Sequence, residues 1–227
     1  KVGNKPVLTL VSGGVDSTVL TTLLRKALPA EQIYALHIDN GFMRKEESKK
    51  VKEALEKVGI KLNVIDASGR FFSALKNNMD PEFKRKTIGD EFINVAKEAM
   101  RELGFSPEEM FLAQGTLRPD LIESASATVS KRANTIKTHH NDSPLARAFR
   151  EQGMIIEPLA EYHKDEVREL GESLGLPEEL VWRQPFPGPG VAVRIIGSDR
   201  AYTLPDMTVK SKIKRYSTDL LQATLLP

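Results

Sequence analysis

The stretch from Val7 to Leu24, VLTLVSGGVDSTVLTTLL, passes from an apolar run through a glycine turn into a helical stripe. Val7 to Val11 reads as a strand buried on both faces. In the helix that follows, Leu20, Leu23, Leu24, Ala27 and Leu28 recur at the i, i+3, i+4, i+7, i+8 spacing of a single apolar face. Between the two, Gly13 and Gly14 let the backbone approach a ligand closely, and the amides opening the helix point at an anion with the helix dipole behind them. Ser12, Ser17 and Thr18 add hydroxyl donors. This is a cradle for phosphate, yet Val15-Asp16-Ser17-Thr18 stands where a GxxxxGK[ST] loop carries its lysine. An aspartate beside polyphosphate is repelled unless a cation lies between them, and Mg²⁺ is the ion that bridges one or two carboxylates to phosphate oxygens. Asp16 therefore points to a Mg²⁺-dependent nucleotide site; its alternative is a capping side chain on a plain turn.

Composition sets the bounds. A length of 227 residues allows one large domain, or one and a half, with a sizeable core. At 40% hydrophobic and 28% charged residues this is an ordinary soluble globular chain, and a net charge of +2 is too small to announce a nucleic-acid or membrane partner. The absence of cysteine excludes disulfides, thiolate metal sites and cysteine nucleophiles, and fits a reducing compartment. No apolar run approaches the roughly 18 residues of a membrane span. The opening Lys1-Val-Gly-Asn has neither an initiator methionine nor the apolar core of a signal peptide, which predicts a piece of a longer protein.

Short apolar runs alternating with helical stripes predict an α/β fold with a parallel sheet. The expected strands are Val7–Val11, Ile33–Ile38, Lys61–Asp66, Met110–Ala113 and Ile155–Leu159. The expected helices after the first are Lys45–Val58, whose charges read as a solvated face, Thr87–Leu103 and His163–Leu174. Residues 114–150 lack a clear period, and so long a connection reads as a functional lid. The run from Pro185 to Gly190 reads as a domain exit, because proline and glycine continue neither a helix nor a central strand. The division that follows is a nucleotide domain over 1–184, with the lid inside it, and an exit segment over 185–227. His37 and His163 read as structural.

The loop Ser12-Gly-Gly-Val-Asp-Ser-Thr18 resembles the SGGxDS loop of the ATP pyrophosphatases, which split ATP between its α- and β-phosphates. Five further stretches, in the same order, resemble the GMP synthetases within that group, in their glutamine-hydrolysing, eukaryotic form. These are His37-Ile-Asp-Asn-Gly-Phe-Met-Arg44, the run from Leu112 to Ser124 (LAQGTLRPDLIES), Ile136-Lys-Thr-His-His-Asn-Asp142, Lys164-Asp-Glu-Val-Arg168 and Pro185-Phe-Pro-Gly-Pro-Gly190. The resemblance implies an adenine-nucleotide alpha-hydrolase-like fold, a five-stranded parallel sheet with helices on both faces. It implies a reaction in which ATP and XMP form an adenylyl intermediate, pyrophosphate leaves, and ammonia displaces AMP to give GMP.

The same resemblance distributes the roles. ATP falls to Ser12, Gly13, Gly14, Val15, Asp16, Ser17, Thr18, the backbone of Ile38, and Gly115. Arg118 takes the XMP phosphate, for which its planar fork is suited. Asp16 and Glu166 hold Mg²⁺, Lys164 meets the pyrophosphate, and Lys137, His139 and His140 belong to the lid over both substrates. Implied partners are ATP, XMP and ammonia, a glutaminase domain or subunit, and a second copy of the chain through a C-terminal dimerisation domain, with a cytoplasmic location and no nucleic acid or membrane. With no cysteine the glutaminase nucleophile lies outside this chain. Two rival readings are a tRNA-modifying ATP pyrophosphatase and a non-catalytic nucleotide-binding remnant.

Overall fold

The computed structural model describes residues 1–194 except 79, 107, 123–143 and 185–187, and these form one compact unit, Lys1–Arg194. At its centre lies a five-stranded, all-parallel sheet of β1 (Val7–Leu10), β2 (Ile33–Asp39), β3 (Leu62–Asp66), β4 (Phe111–Ala113) and β5 (Ile155–Ile156), in the order β3-β2-β1-β4-β5. Val7 pairs with Ile33 on one side and with Phe111 on the other. Val7 and Leu8 are both fully buried, as a central strand covered on two faces requires.

Around it lie α1 (Val15–Ala27), α2 (Glu47–Lys57), α3 (Ser68–Leu75), α4 (Pro81–Glu102), α5 (Pro144–Glu151), α6 (Lys164–Ser173) and α7 (Glu178–Val181), besides a helical turn over residues 118–122. The two-residue period of a strand decides which face each covers. Ala35 and His37 look toward α2, where Val51 and Leu55 cluster with Val11, Ala35, Ile60 and Leu62, and His37 Nε2 lies 3.0 Å from Ser48 Oγ. Leu36 and Ile38 look the other way, toward α4, which packs on β2 and α3.

Several boundaries differ from the sequence reading for local reasons. Helix α4 begins at Pro81 instead of Thr87: Asp80 caps it by accepting from Phe83 N at 2.8 Å, and Pro81 fits a first helical position, where no amide bond is lost. Helix α3 was not expected; it is short, and what holds it is the fully buried Phe71. The stretch 114–150 is not irregular throughout, because residues 118–122 are helical and α5 sets Leu145, Ala146 and Phe149 into the core. The rest of the expected lid, with Lys137, His139 and His140, lies outside the described residues, as does 195–227. Strand β5 is cut to two residues by a turn at Glu157–Ala160.

Candidate active site

In the order β3-β2-β1-β4-β5 the connections leave β1 and β4 in opposite directions, so a crevice opens between the carboxyl ends of these neighbours, where ligands of open α/β sheets bind. The loop Ser12–Gly14 follows β1, and Gln114–Leu117 follows β4. Gly115 lies directly on Asp16: a methyl group there would come 3.3 Å from Asp16 Cβ. A side chain there would push Asp16 back by a few tenths of an ångström, so glycine lets these two loops close on each other without displacement.

The phosphate loop is shaped by its hydroxyl groups. Ser12 N donates to Ser17 Oγ at 3.2 Å, Gly14 N donates to Ser12 Oγ at 3.3 Å, and Ser17 Oγ donates to Gly14 O at 3.1 Å. Thr18 is buried and donates to Gly14 O at 2.9 Å, so its hydroxyl serves the loop's shape. Val15 is buried in the core and offers the site only its backbone. No side chain caps α1, whose N-cap is Gly14, and the first-turn amides are left for an anion.

Asp16 and Lys164, distant in sequence, meet. Lys164 opens α6, which packs against α1, and its Nζ donates to both carboxylate oxygens of Asp16 at 2.7 Å. Glu166 stands one half-turn farther on, with Oε2 accepting from His163 N at 2.6 Å. Its carboxylate thus stabilises the start of α6, where an acid also favours the helix dipole. Ile38 is the second-to-last residue of β2 and lies just past the end of β1. Val11 N donates to Leu36 O at 2.8 Å, so Leu36, and Ile38 two residues on, turn their backbone groups toward the β1 side, where β1 has already ended. Arg118 is exposed at the head of the helical turn 118–122 and is anchored through its backbone, Arg118 N donating to Tyr162 O at 3.1 Å. Thr116 Oγ1 donates to Glu157 at 2.7 Å and Leu117 N to Asp120 at 3.0 Å, which sets this loop.

Two residues of the site went unrecognised in the sequence. The charges of α2 were read as a solvated face, but Glu47 is buried and ion-paired with Arg183, whose Nη1 donates to Gly13 O at 2.6 Å. Its signal was the four-residue spacing Glu47, Val51, Leu55, which sets it on the apolar face of α2. Nothing local marked Arg183. His37 does serve the fold, with Nδ1 2.6 Å from Val11 O.

Comparison with known proteins bears on what this crevice is. Over 212 residues, 88% of the chain, the sequence is 58% identical to a GMP synthase [glutamine-hydrolyzing] of Dictyostelium discoideum, and it is 53% identical to a probable GMP synthase of Caenorhabditis elegans over 86% of the chain. This chain is a homologue of a GMP synthase segment. It spans 30% and 28% of the lengths of those two GMP synthases. The family model of the queuosine biosynthesis protein QueC matches residues 6–99, which hold the phosphate loop and the first three strands. Among solved structures, an NMN synthetase of Francisella tularensis (TM-score 0.55, 15% identity, 82% of this chain and 68% of that one) shares the fold. So does an NH3-dependent NAD synthetase of Campylobacter jejuni (TM-score 0.55, 13% identity, 79% and 68%). The fold, a five-stranded parallel sheet with helices on both faces, is thus the one that the GMP synthase resemblance implied, and these two synthetases share it.

Proposed function

We propose that the chain is the ATP-pyrophosphatase part of a glutamine-dependent GMP synthase, working in the cytoplasm. The observation that carries this reading is the 58% identity to a GMP synthase along 88% of the chain. It runs beyond the region shared with QueC, through β4, Arg118 and the start of α6.

In this reading ATP lies across the carboxyl ends of β1 and β2, with its adenine edge on the Ile38 backbone and its phosphates over Ser12–Ser17, beside Gly115. XMP is held by Arg118 so that its O² faces the α-phosphorus. The oxygen–phosphorus bond forms as the bond from the α-phosphorus to the bridging oxygen breaks, and pyrophosphate carries away the electron pair. Ammonia then adds at C2, and AMP departs. No side chain acts as a nucleophile; alignment and charge stabilisation do the work.

Asp16 offers hard carboxylate oxygens at the mouth of the phosphate loop, a donor type that fits Mg²⁺, and Glu166 two residues beyond Lys164 is the second candidate ligand. Mg²⁺ bound there would neutralise the oxygens of the departing pyrophosphate. With nucleotide present, Lys164 exchanges its contact with Asp16 for one with the pyrophosphate. Lys137, His139 and His140 are assigned to a cover that keeps water from the adenylyl intermediate. Ammonia comes from a glutaminase domain or subunit, and the full enzyme is a homodimer through its C-terminal domain. Among the described residues no helix is long and apolar enough to cross a membrane.

The test is to supply ATP, Mg²⁺, XMP and ammonium and to measure pyrophosphate and GMP. Pyrophosphate release that depends on XMP and matches GMP formed is the expected result. Equal release without XMP defeats the substrate assignment.

A further inference from the structure

Arg183 follows α7, far along the chain from the phosphate loop, yet its side chain ends on that loop. Nη1 donates to Gly13 O at 2.6 Å, Nη2 is paired with Glu47 Oε1, and the two side chains are only 13% and 6% exposed. Gly13 has φ +80, a conformation that a residue with a side chain adopts at a cost, and an added Cβ would lie 3.3 Å from Glu47 Oε1 and 3.1 Å from Val51 Cγ2. The Gly13 backbone is therefore pressed against α2 and fastened there by the guanidinium.

We infer that Arg183, held by Glu47, is a positioning residue for the phosphate loop that fixes the orientation of the Gly13–Gly14 peptide. A trans peptide is planar, so its C=O and N–H point in opposite directions. With Gly13 O drawn toward Arg183, the Gly14 N–H is turned to the other side, where it meets Ser12 Oγ at 3.3 Å beside Ser17 Oγ. That is the hydroxyl-lined side which receives phosphate in the reading given above, on which this inference rests. Were the peptide to rotate, the Gly13 carbonyl dipole would face the anion in place of an amide hydrogen. A planar fork with two donors suits this task, because one arm can stay on the carboxylate while the other holds the carbonyl. Glu47 keeps the buried guanidinium from being an unpaired charge. Arg183 touches no substrate; it acts through Gly13.

The test compares binding of pyrophosphate, of the uncleavable α,β-methylene ATP with Mg²⁺, and of adenosine to the wild-type chain, to Arg183→Met and to the double variant Glu47→Gln/Arg183→Met. Losing one oriented donor should weaken the two phosphate-bearing ligands roughly tenfold or more, with adenosine unchanged. The double variant has no unpaired buried carboxylate and should regain melting temperature without regaining phosphate affinity. In wild-type chain labelled with ¹⁵N, the Gly14 amide proton should move downfield as pyrophosphate is added, a readout that needs no variant. The inference is overturned if adenosine affinity falls as far as pyrophosphate affinity, if the double variant binds phosphate ligands like wild type, or if the Gly14 amide stays put at saturation. A wild-type chain that binds none of the three ligands overturns the nucleotide reading and this inference with it; normal binding by every variant overturns this inference alone.

Discussion

Replacing Asp16 by asparagine separates the observed pairing of its carboxylate with Lys164 from the Mg²⁺-binding role proposed for it. Both oxygens lie 2.7 Å from Lys164 Nζ, and the aspartate and lysine side chains are 31% and 39% exposed. Water screens a pair so exposed, so its share of folding stability is about 0.5–1 kcal/mol. That corresponds to a fall of roughly 1–4 °C in melting temperature for a chain of this length. Nucleotide binding asks more of the same group. An amide in place of a charged oxygen ligand to Mg²⁺ forgoes about 2–3 kcal/mol, roughly 30- to 150-fold in affinity. In EDTA the sign changes. Asp16 then faces the triphosphate with no ion between them, and the asparagine variant should bind ATP as well as wild type or more tightly. Calorimetric titration with α,β-methylene ATP, once in excess Mg²⁺ and once in EDTA, with melting curves alongside, measures all three quantities. An affinity loss of the same factor in both buffers refutes the argument, since a carboxylate acting only on the fold has no reason to distinguish them.

Arg118→Ala should raise the KM for XMP by at least roughly tenfold, as loss of a charged bidentate contact does, and leave ATP binding within about twofold; parallel losses for both substrates defeat the assignment. Gly115→Ala inserts a methyl 3.3 Å from Asp16 Cβ and should lower nucleotide affinity severalfold while costing about 1–2 kcal/mol of stability, read by titration and urea melts. Phe149→Ala tests whether α5 belongs to the core: Phe149 is fully buried, and its truncation should cost about 3–5 kcal/mol in urea unfolding. A loss below 1 kcal/mol would mean that α5 is only loosely attached.

Much of the architecture could be read from one dimension because its causes are local. Short apolar runs such as Val7–Val11 fit strands covered on both sides, helical stripes of the spacing seen at Leu20, Leu23 and Leu24 fit between them, and the alternation of the two leaves a parallel sheet as the economical solution. Gly13, Gly14 and Asp16 are what the proposed phosphate and cation site is read from, and that reading is local too. Helix α3 escaped notice because eight residues are too few to display a period, and α5 because its apolar face was hidden within a long polar stretch. The start of α4 was legible after all, in the Asp80-Pro81 pair.

The amino-acid sequence by itself determined the strand–loop–helix around Gly13 and Gly14 and the family whose motifs recur along the chain; the cation at Asp16 remains part of the proposed function. Tertiary structure alone decided which side chains answer one another there. Lys164 reaches Asp16, and Arg183 reaches Gly13 and Glu47, only because parallel strands with crossover helices return distant segments to one edge of the sheet. A salt bridge or a hydrogen bond to a backbone carbonyl depends on distances of about 3 Å between groups more than a hundred residues apart, and no spacing along the chain encodes those.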